Sequence, residues 1–494
     1  GQVNPDGGEI QYLYDALSRV TKQRDPMGYV TEYAYDAVGN LISATLPNGE
    51  TYAYTYNHSG FRTSETDPLG NVTQWEPDRM NRLVKKTLAS GAQYGYAYDV
   101  LGRVTGLTGP EGRSLTYAYD DRGNLASETD ALGRVTAYAY DAMHRVTGIT
   151  DANLGVTGMS YDANGNLAEL VSPEGNAEKY TYDALDRIAS RLDPAGAMTQ
   201  YVYDVMGNLT QITEPQGRTT TMSYDANGNM TGITDALGQT TSFQYDSMDR
   251  VLKATDAGGA SVQYTYDLNG RVTQVLDPLN AATQYEYDSM GNVTLVKDAE
   301  SRATQYAYDA LDRLTSVTDG TGGYDSVGNL VTRTDGEGKT TAYAYDLAGQ
   351  LVSTTNAKGE TTQNTYNEVG NRVGAQLPSG KSITYDYDAL DALVQKSYST
   401  GEADVLYSYS PDGNLVSMRD ATGDSTYTYD ANGRLVSYTN AFSATVSYAY
   451  NENGEISAIT YPDGKTVGYE YDALGRMVKV TGRDGGETVY QYDA

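Results

Sequence analysis

Histidine occurs at only two positions, 58 and 144, and cysteine at none, so imidazole catalysis and thiolate chemistry have almost nothing to work with. No Gly-x-Ser-x-Gly elbow, no phosphate-binding Gly-x-x-x-x-Gly-Lys and no His-Glu-x-x-His pair is present. What abounds is carboxylate and phenol: 65 Asp and Glu against 35 Lys and Arg, and 47 Tyr. Paired carboxylates could do acid–base work or hold a cation. Here they recur at a fixed period, however, whereas a catalytic pair should be an exception to a repeat. The Asp-rich turns match neither an EF-hand loop nor the nonapeptide of calcium β-rolls. The sequence therefore assigns no catalytic residue, no cofactor-binding residue, no metal ligand and no cofactor.

The elements that would position any site are repeats. The stretch Gln200 to Gly217, QYVYDVMGNLTQITEPQG, is respelled along the whole chain, with a Tyr-Asp pair returning every 21 residues from Tyr14 to Tyr308. The step shortens to 16 at Tyr324, resumes through Tyr387, then runs 22 and 20 around Tyr409 before the regular finish at Tyr492. Of these 24 markers only Pro77 is not Tyr, and the next residue is Asp in 20 of them. Such a period means stacked supersecondary units that form one body of any length. The expected organisation is a single continuous array over residues 1–494, with irregularities near 75–82, 319–324 and 398–412. Gly1 and Ala494 both fall inside a repeat, which suggests a segment of a longer protein.

Each repeat reads as a β-hairpin with two turns, because Gly recurs 4 and 14 residues after the marker with β-type sequence between. Gly fills the first of these positions in 16 of 23 turns. The exceptions are Ser18, Asn81, His144, Asp186, Asp249, Asp312 and Asp391, mostly types that tolerate φ > 0, and none is β-branched. Backbone geometry explains that pattern, His144 included.

Pairs such as Tyr33 and Tyr35 share one strand face and leave small or polar residues on the other. In the second strand apolar residues fall three apart, as in Val104 and Leu107, so either a bulge shifts the register or both faces are partly apolar. Trp75 and Pro77 mark an irregular or uncovered place. The short step at 319–324 deletes most of a first strand and leaves a seam or kink, and the 22-then-20 pair is a compensated slip. With 3 Phe, 1 Trp and no long aliphatic run, burial comes from many thin stripes rather than a thick core.

A net charge of −30 argues against nucleic acid or an anionic membrane as partner, and no stretch approaches the ~20 apolar residues of a spanning helix. Absence of cysteine fits a protein working outside the cytosol. The Asn-x-Ser/Thr triplets at 57, 71, 208, 229 and 292 follow, all but one, from the repeat grammar.

The recurring Tyr-Asp-x-x-Gly-Arg/Asn-Leu/Val followed by Thr-Asp-Pro-x-Gly, seen from Tyr14 to Gly28 and from Tyr266 to Pro278, resembles the YD repeat of the Rhs family. That family includes bacterial Rhs toxins, cocoon components of Tc toxins and animal teneurins. The resemblance covers essentially the whole chain. It implies an all-β fold, tandem hairpins forming one long ribbon that spirals into a hollow shell or superhelix, secreted or at the cell surface. In bacterial members the shell encloses a toxic C-terminal polypeptide. The Asp-Pro-x-Gly-Leu core with self-cleaving aspartates does not occur before Ala494, so no catalytic residue carries over. The expected function is a non-catalytic shell or scaffold segment whose partners are a polypeptide cargo or neighbouring domains of a longer chain. The alternative is an extracellular adhesive or filament-forming protein that holds cell-surface glycan or protein on an open superhelix.

Overall fold

The computed structural model describes residues 2–318 and 320–492. It contains 48 strands and no α-helix among the described residues, only single 3-10 turns at Pro110–Gly112 and Pro215–Gly217. One repeat shows how the sequence makes them. Strand Val30–Tyr35 enters the turn 36–40, Leu41–Thr45 returns, the turn 46–50 reverses the chain again, and Thr51–Tyr56 opens the next repeat. Both turns close alike. The Asp36 N–H donates to the Asn40 carbonyl (2.9 Å) and the Gly39 N–H to the Asp36 carbonyl (3.2 Å). Leu46, Gly49 and Glu50 repeat these two bonds at 2.8 and 2.9 Å. Each is a three-residue hairpin loop whose last residue must take positive φ. The seven non-glycine residues expected at that position do so, with φ from 59 to 65°. The second turn proves less selective, since Leu154 sits there at φ 70°.

The open question of register resolves as a bulge. Tyr96 opposes Leu107, Ala97 opposes Gly106, and Tyr98 opposes Val104, so one residue of the second strand is extra. That extra residue places Val104 and Leu107, three apart in sequence, on the face of both tyrosines. The same shift precedes Tyr35, Tyr140 and Tyr266. Burial alternates accordingly: Tyr33 and Tyr35 are half-buried while Glu32 and Ala34 are exposed. Among the described residues the buried apolar side chains are few, Ala44, Ala92, Pro110, Ala375 and Tyr385, so there is no thick core.

Two irregularities differ from expectation. Pro77 opposes Leu83 at the usual bulge, and the ladder of Val72–Pro77 is intact, because the marker position at a strand end can do without an N–H. Arg62 stacks over Trp75 at 4.7 Å. At the short step the first strand survives as Gly320–Tyr324 and pairs directly with Leu314–Val317. The deletion shortens the second turn rather than removing the strand; Asp319 itself lies outside the described residues, as do Gly1 and Ala494 at the two ends. The slip around Tyr409 is compensated: the residue gained in the loop 399–404 is lost at the tight turn 421–422.

The chain groups into two compact units. The first comprises Gly1–Thr116, Phe243–Thr255 and Gly259–Gly370; the second comprises Tyr117–Ser242, Asp256–Gly258 and Asn371–Ala494. In the first unit, second turns of its early segment meet first turns of its later segment: Arg250 lies 3.2 Å from Asp6, and the Asn269 amide donates to Asp25 at 2.7 Å. The second unit is built the same way, with partners 235 to 257 positions apart. That separation is roughly a dozen repeats.

Candidate functional site

The conserved-looking chemistry of each repeat is a structural lock. At Asp183, one carboxylate oxygen accepts the Leu185 and Arg187 N–H groups at 2.8 and 3.1 Å, and the other accepts Arg187 Nε at 2.7 Å. Arg187 then lies over the ring of Tyr203, the next marker, at 4.5 Å and donates to the Asp204 carbonyl. The Tyr203 hydroxyl donates to the Ile188 carbonyl at 3.1 Å. Turn n is thereby tied to strand n+1 by a carboxylate, a cation–π contact and a phenol. Where the repeat carries Asn, as at Asn208, its amide takes over the second carboxylate oxygen (3.0 Å), and Tyr224 still reaches Leu209 at 2.7 Å. The lock survives the irregular steps, from Tyr324 to Leu314 and from Tyr409 to Leu393.

These contacts set the carboxyl acidities. The Arg187 guanidinium, foremost among several donors, holds Asp183 below the ordinary carboxylate value, and the amides of Asn208 and Asn229 do the same for Asp204 and Asp225. Burial pushes the Tyr182 and Tyr224 phenols up.

A pairing rule escaped the sequence reading. An Arg five residues after the marker is always followed, in the next complete turn, by Gly at the positive-φ position. The Asp and His exceptions follow Asn. The reason is spatial. A Cβ on Gly165 would meet Arg145 Nη1 at 3.4 Å, whereas Asn124 bonds His144 Nδ1 at 2.6 Å and Asn292 donates to Asp312 at 2.7 Å. Comparing the two positions across repeats would have found it.

The seams inside each unit draw on several first-turn positions: Asn269 and Asn432 three residues after the marker, Asp391 four, and Arg250 and Glu455 five. Asn432 donates to Asp193 (2.8 Å) and accepts the Ala195 N–H (3.1 Å). Asp412 accepts Ser172 Oγ, Asn176 Nδ2 and the Glu174 N–H at 2.8 to 3.0 Å. Burial pushes the Asp412 carboxyl up, but hydrogen bonds from Ser172, Asn176 and Glu174 together leave it below the ordinary value; the Arg134 side chain holds Asp391 down. Arg218 reaches Glu455 at 2.5 Å. A cleft of about 920 Å³ runs along this second-unit seam, walled by the same turns, with the Arg191–Glu178 ion pair at its side.

His58 is exposed in a turn tip and His144 is spent on its turn. No group of three or more His, Cys, Asp or Glu among the described residues is placed to hold a metal, and no helix among them is long and apolar enough to cross a membrane.

Comparison with known proteins bears on this lock. The Teneurin YD-shell family matches residues 178–324, 242–381 and 401–493, and the RHS Repeat matches 14–51, 35–72, 56–93, 78–114 and 119–156. No curated protein sequence matches significantly. Among solved structures, TcdB2-TccC3 aligns over 96% of this chain and 37% of its own, at 14% identity and TM-score 0.59. A Photorhabdus luminescens Tc holotoxin pore aligns over 96% and 37%, at 13% identity and TM-score 0.63. The chain thus spans little more than a third of those proteins, and at such identity the likeness speaks for the fold. With more than half of its residues matched by the shell description, the chain belongs to the teneurin YD-shell family.

Proposed function

We propose that the chain is a non-catalytic wall segment, one continuous array that encloses or presents a polypeptide encoded outside it, in a secreted or cell-surface protein. The observation that carries this reading is how few side chains are buried among the described residues. The accessible area is 27397 Å² for 53.4 kDa, against about 18,000 Å² for a compact chain of that mass, and nearly all side chains are half-buried at best. The turn aspartates and marker tyrosines, such as Asp183 and Tyr203, are engaged in the repeat lock. Membership of a shell family and the Tc toxin neighbours support the same role, with neighbouring domains of a longer chain as partners.

Small-angle scattering tests it. A wall around a wet space gives a radius of gyration well above the ~23 Å of a compact 494-residue globule, and a value near that figure overturns it. Incubating the purified chain and weighing it by mass spectrometry tests the absence of catalysis; a specific cut abolished by changing one acid would sink that part. A second reading, an open adhesive superhelix for glycan or protein, is favoured by the apolar turn tips such as Val100 and Val205, 99% and 97% exposed. Binding to cell-surface glycan arrays by the chain alone would support that reading over the first.

A further inference from the structure

The residue two before each marker shares the marker's strand face. Of the 24 repeats, 18 carry Tyr there, and Trp75, Phe243, Met159 and Met222 are also large and apolar. Asn364 is smaller, but its amide donates to the Leu351 carbonyl at 3.0 Å. The short step alone puts no side chain in that place: the residue is Gly322, directly opposite Arg333 in the ladder. A cavity of about 360 Å³ lies there, walled by Leu314, Val317, Leu330 and Tyr324, with Arg333 and Asp335 among its polar lining. Nearby Gly320 has a backbone reason, since a Cβ on it would lie 2.7 Å from the Thr334 carbonyl oxygen. Gly322 has none. A Cβ there would meet the flexible end of Leu330 at 3.2 Å, and no backbone atom nearer than the Leu314 carbonyl oxygen at 3.5 Å.

Other repeats show what such a place holds. Arg191 stands opposite Tyr180 as Arg333 stands opposite Gly322. Arg372 lies over the ring of Tyr385 at 4.7 Å and donates to its hydroxyl at 3.1 Å, while the Tyr138 hydroxyl donates to Glu128 at 3.0 Å. We propose that the space left by Gly322 is a binding site for a neutral monocyclic phenol, whose ring takes the place of the absent tyrosine. Leu314, Val317 and Leu330 remove the ring from water, and the Arg333 guanidinium attracts its face. The hydroxyl accepts from Arg333 and donates to Asp335, as tyrosine hydroxyls do with Arg372 and Glu128. Asp335 and the −30 net charge disfavour an anionic phenol. The same ring arrives either free or as a tyrosine side chain of another polypeptide, two sources that a titration separates. Nothing in the site depends on what the wall encloses.

Titrating the whole chain with p-cresol from about 0.1 to 10 mM, followed by NMR, spans the affinity expected of so small a ligand. The expected result is saturation at one site per chain, with toluene and 4-hydroxyphenylacetate each binding several-fold less tightly. Gly322→Tyr fills the site from within, so it should abolish binding and raise the melting temperature. Gly322→Met, which places there the residue found at 159 and 222, repeats the test should the first variant not fold. Arg333→Gln, at an exposed position, should leave the melting temperature unchanged and weaken p-cresol about three- to tenfold. N-acetyltyrosine amide that binds as tightly as p-cresol supports the site with a polypeptide source, and its failure beside p-cresol binding supports the site with a free phenol. Absence of p-cresol binding overturns the proposal. Toluene binding as tight as that of p-cresol does so too, because the site would then be only an apolar hollow. Binding at many sites per chain that survives both substitutions at 322 also overturns it, by placing the phenol on the tyrosine stripe at large.

Discussion

Met206 and Asp412 occupy the same place in their turns, three residues after the marker, yet one is 79% exposed and the other holds three donors of a neighbouring turn. The backbone is nevertheless alike in both, with φ of 96° at Gly207 and 83° at Gly413. The turn's shape is thus set by the Asp or Ser that caps it, the positive-φ residue and the tyrosine lock, while the tip residues answer to whatever lies beyond the edge. Apolar and polar tips occur in both places, with Met206 and Arg122 facing solvent and Leu474 and Asp412 on the covered side.

The largest expected effect tests the shared part. Gly228, on a free edge, and Gly433, in a seam turn, have φ of 88 and 73°. Valine at either should cost about 1–3 kcal/mol through backbone strain, and Asn much less. Thermal melts of the four variants check this. A Gly433→Val shift much larger than that of Gly228→Val would mean that seam contacts, rather than the common turn, dominate the position.

Next comes the difference itself. Asp412→Ala leaves Ser172 Oγ, Asn176 Nδ2 and the Glu174 N–H without their acceptor, at a cost of about 1–2 kcal/mol. Hydrogen exchange should quicken at 172–176 and 410–414 before elsewhere. Unchanged protection there would show that the seam does not rely on the clasp.

Acid should weaken turns and seams together. The carboxyls of Asp183, Asp225, Asp391 and Asp412 are all held below their ordinary value in the folded chain. Their stabilisation is therefore complete above the unfolded value of about 3.9 and is lost as pH falls through the lower folded values. Melting temperature should be flat from about pH 7 to 5 and drop below about 4. Asp225→Asn should blunt its own share of that drop and keep the cap, since Asn57 already accepts Ser59 and Phe61 N–H groups in the same way.

The period, both turns and the positive-φ positions were legible because each rests on interactions within about six residues, which a repeat prints many times over. Asp186 and His144 announced their backbone by being the wrong residues for anything else. The bulge was half-legible: the spacing of Val104 and Leu107 signalled it, but only the pairing of Tyr98 with Val104 decided it. The seams were not legible. Asn269 and Asp25 stand 244 residues apart, and nothing local to either announces the other. Pro77 misled because its neighbours, rather than its own ring, determine whether a strand end stays regular.

The smallest expected effect is the most telling for the comparison. Met206→Ala removes a side chain that is 79% exposed in the second unit's early segment, so dilute monomer should lose less than about 0.5 kcal/mol. Leu474→Ala removes the residue at the same turn position in that unit's later segment, where it is partly covered, and deletes apolar contact as well. Its melting shift should exceed that of Met206→Ala although both occupy the same place in the repeat. Equal shifts in dilute solution would mean that the later tips gain nothing from their neighbours, and the distinction between free and occupied edges would fall.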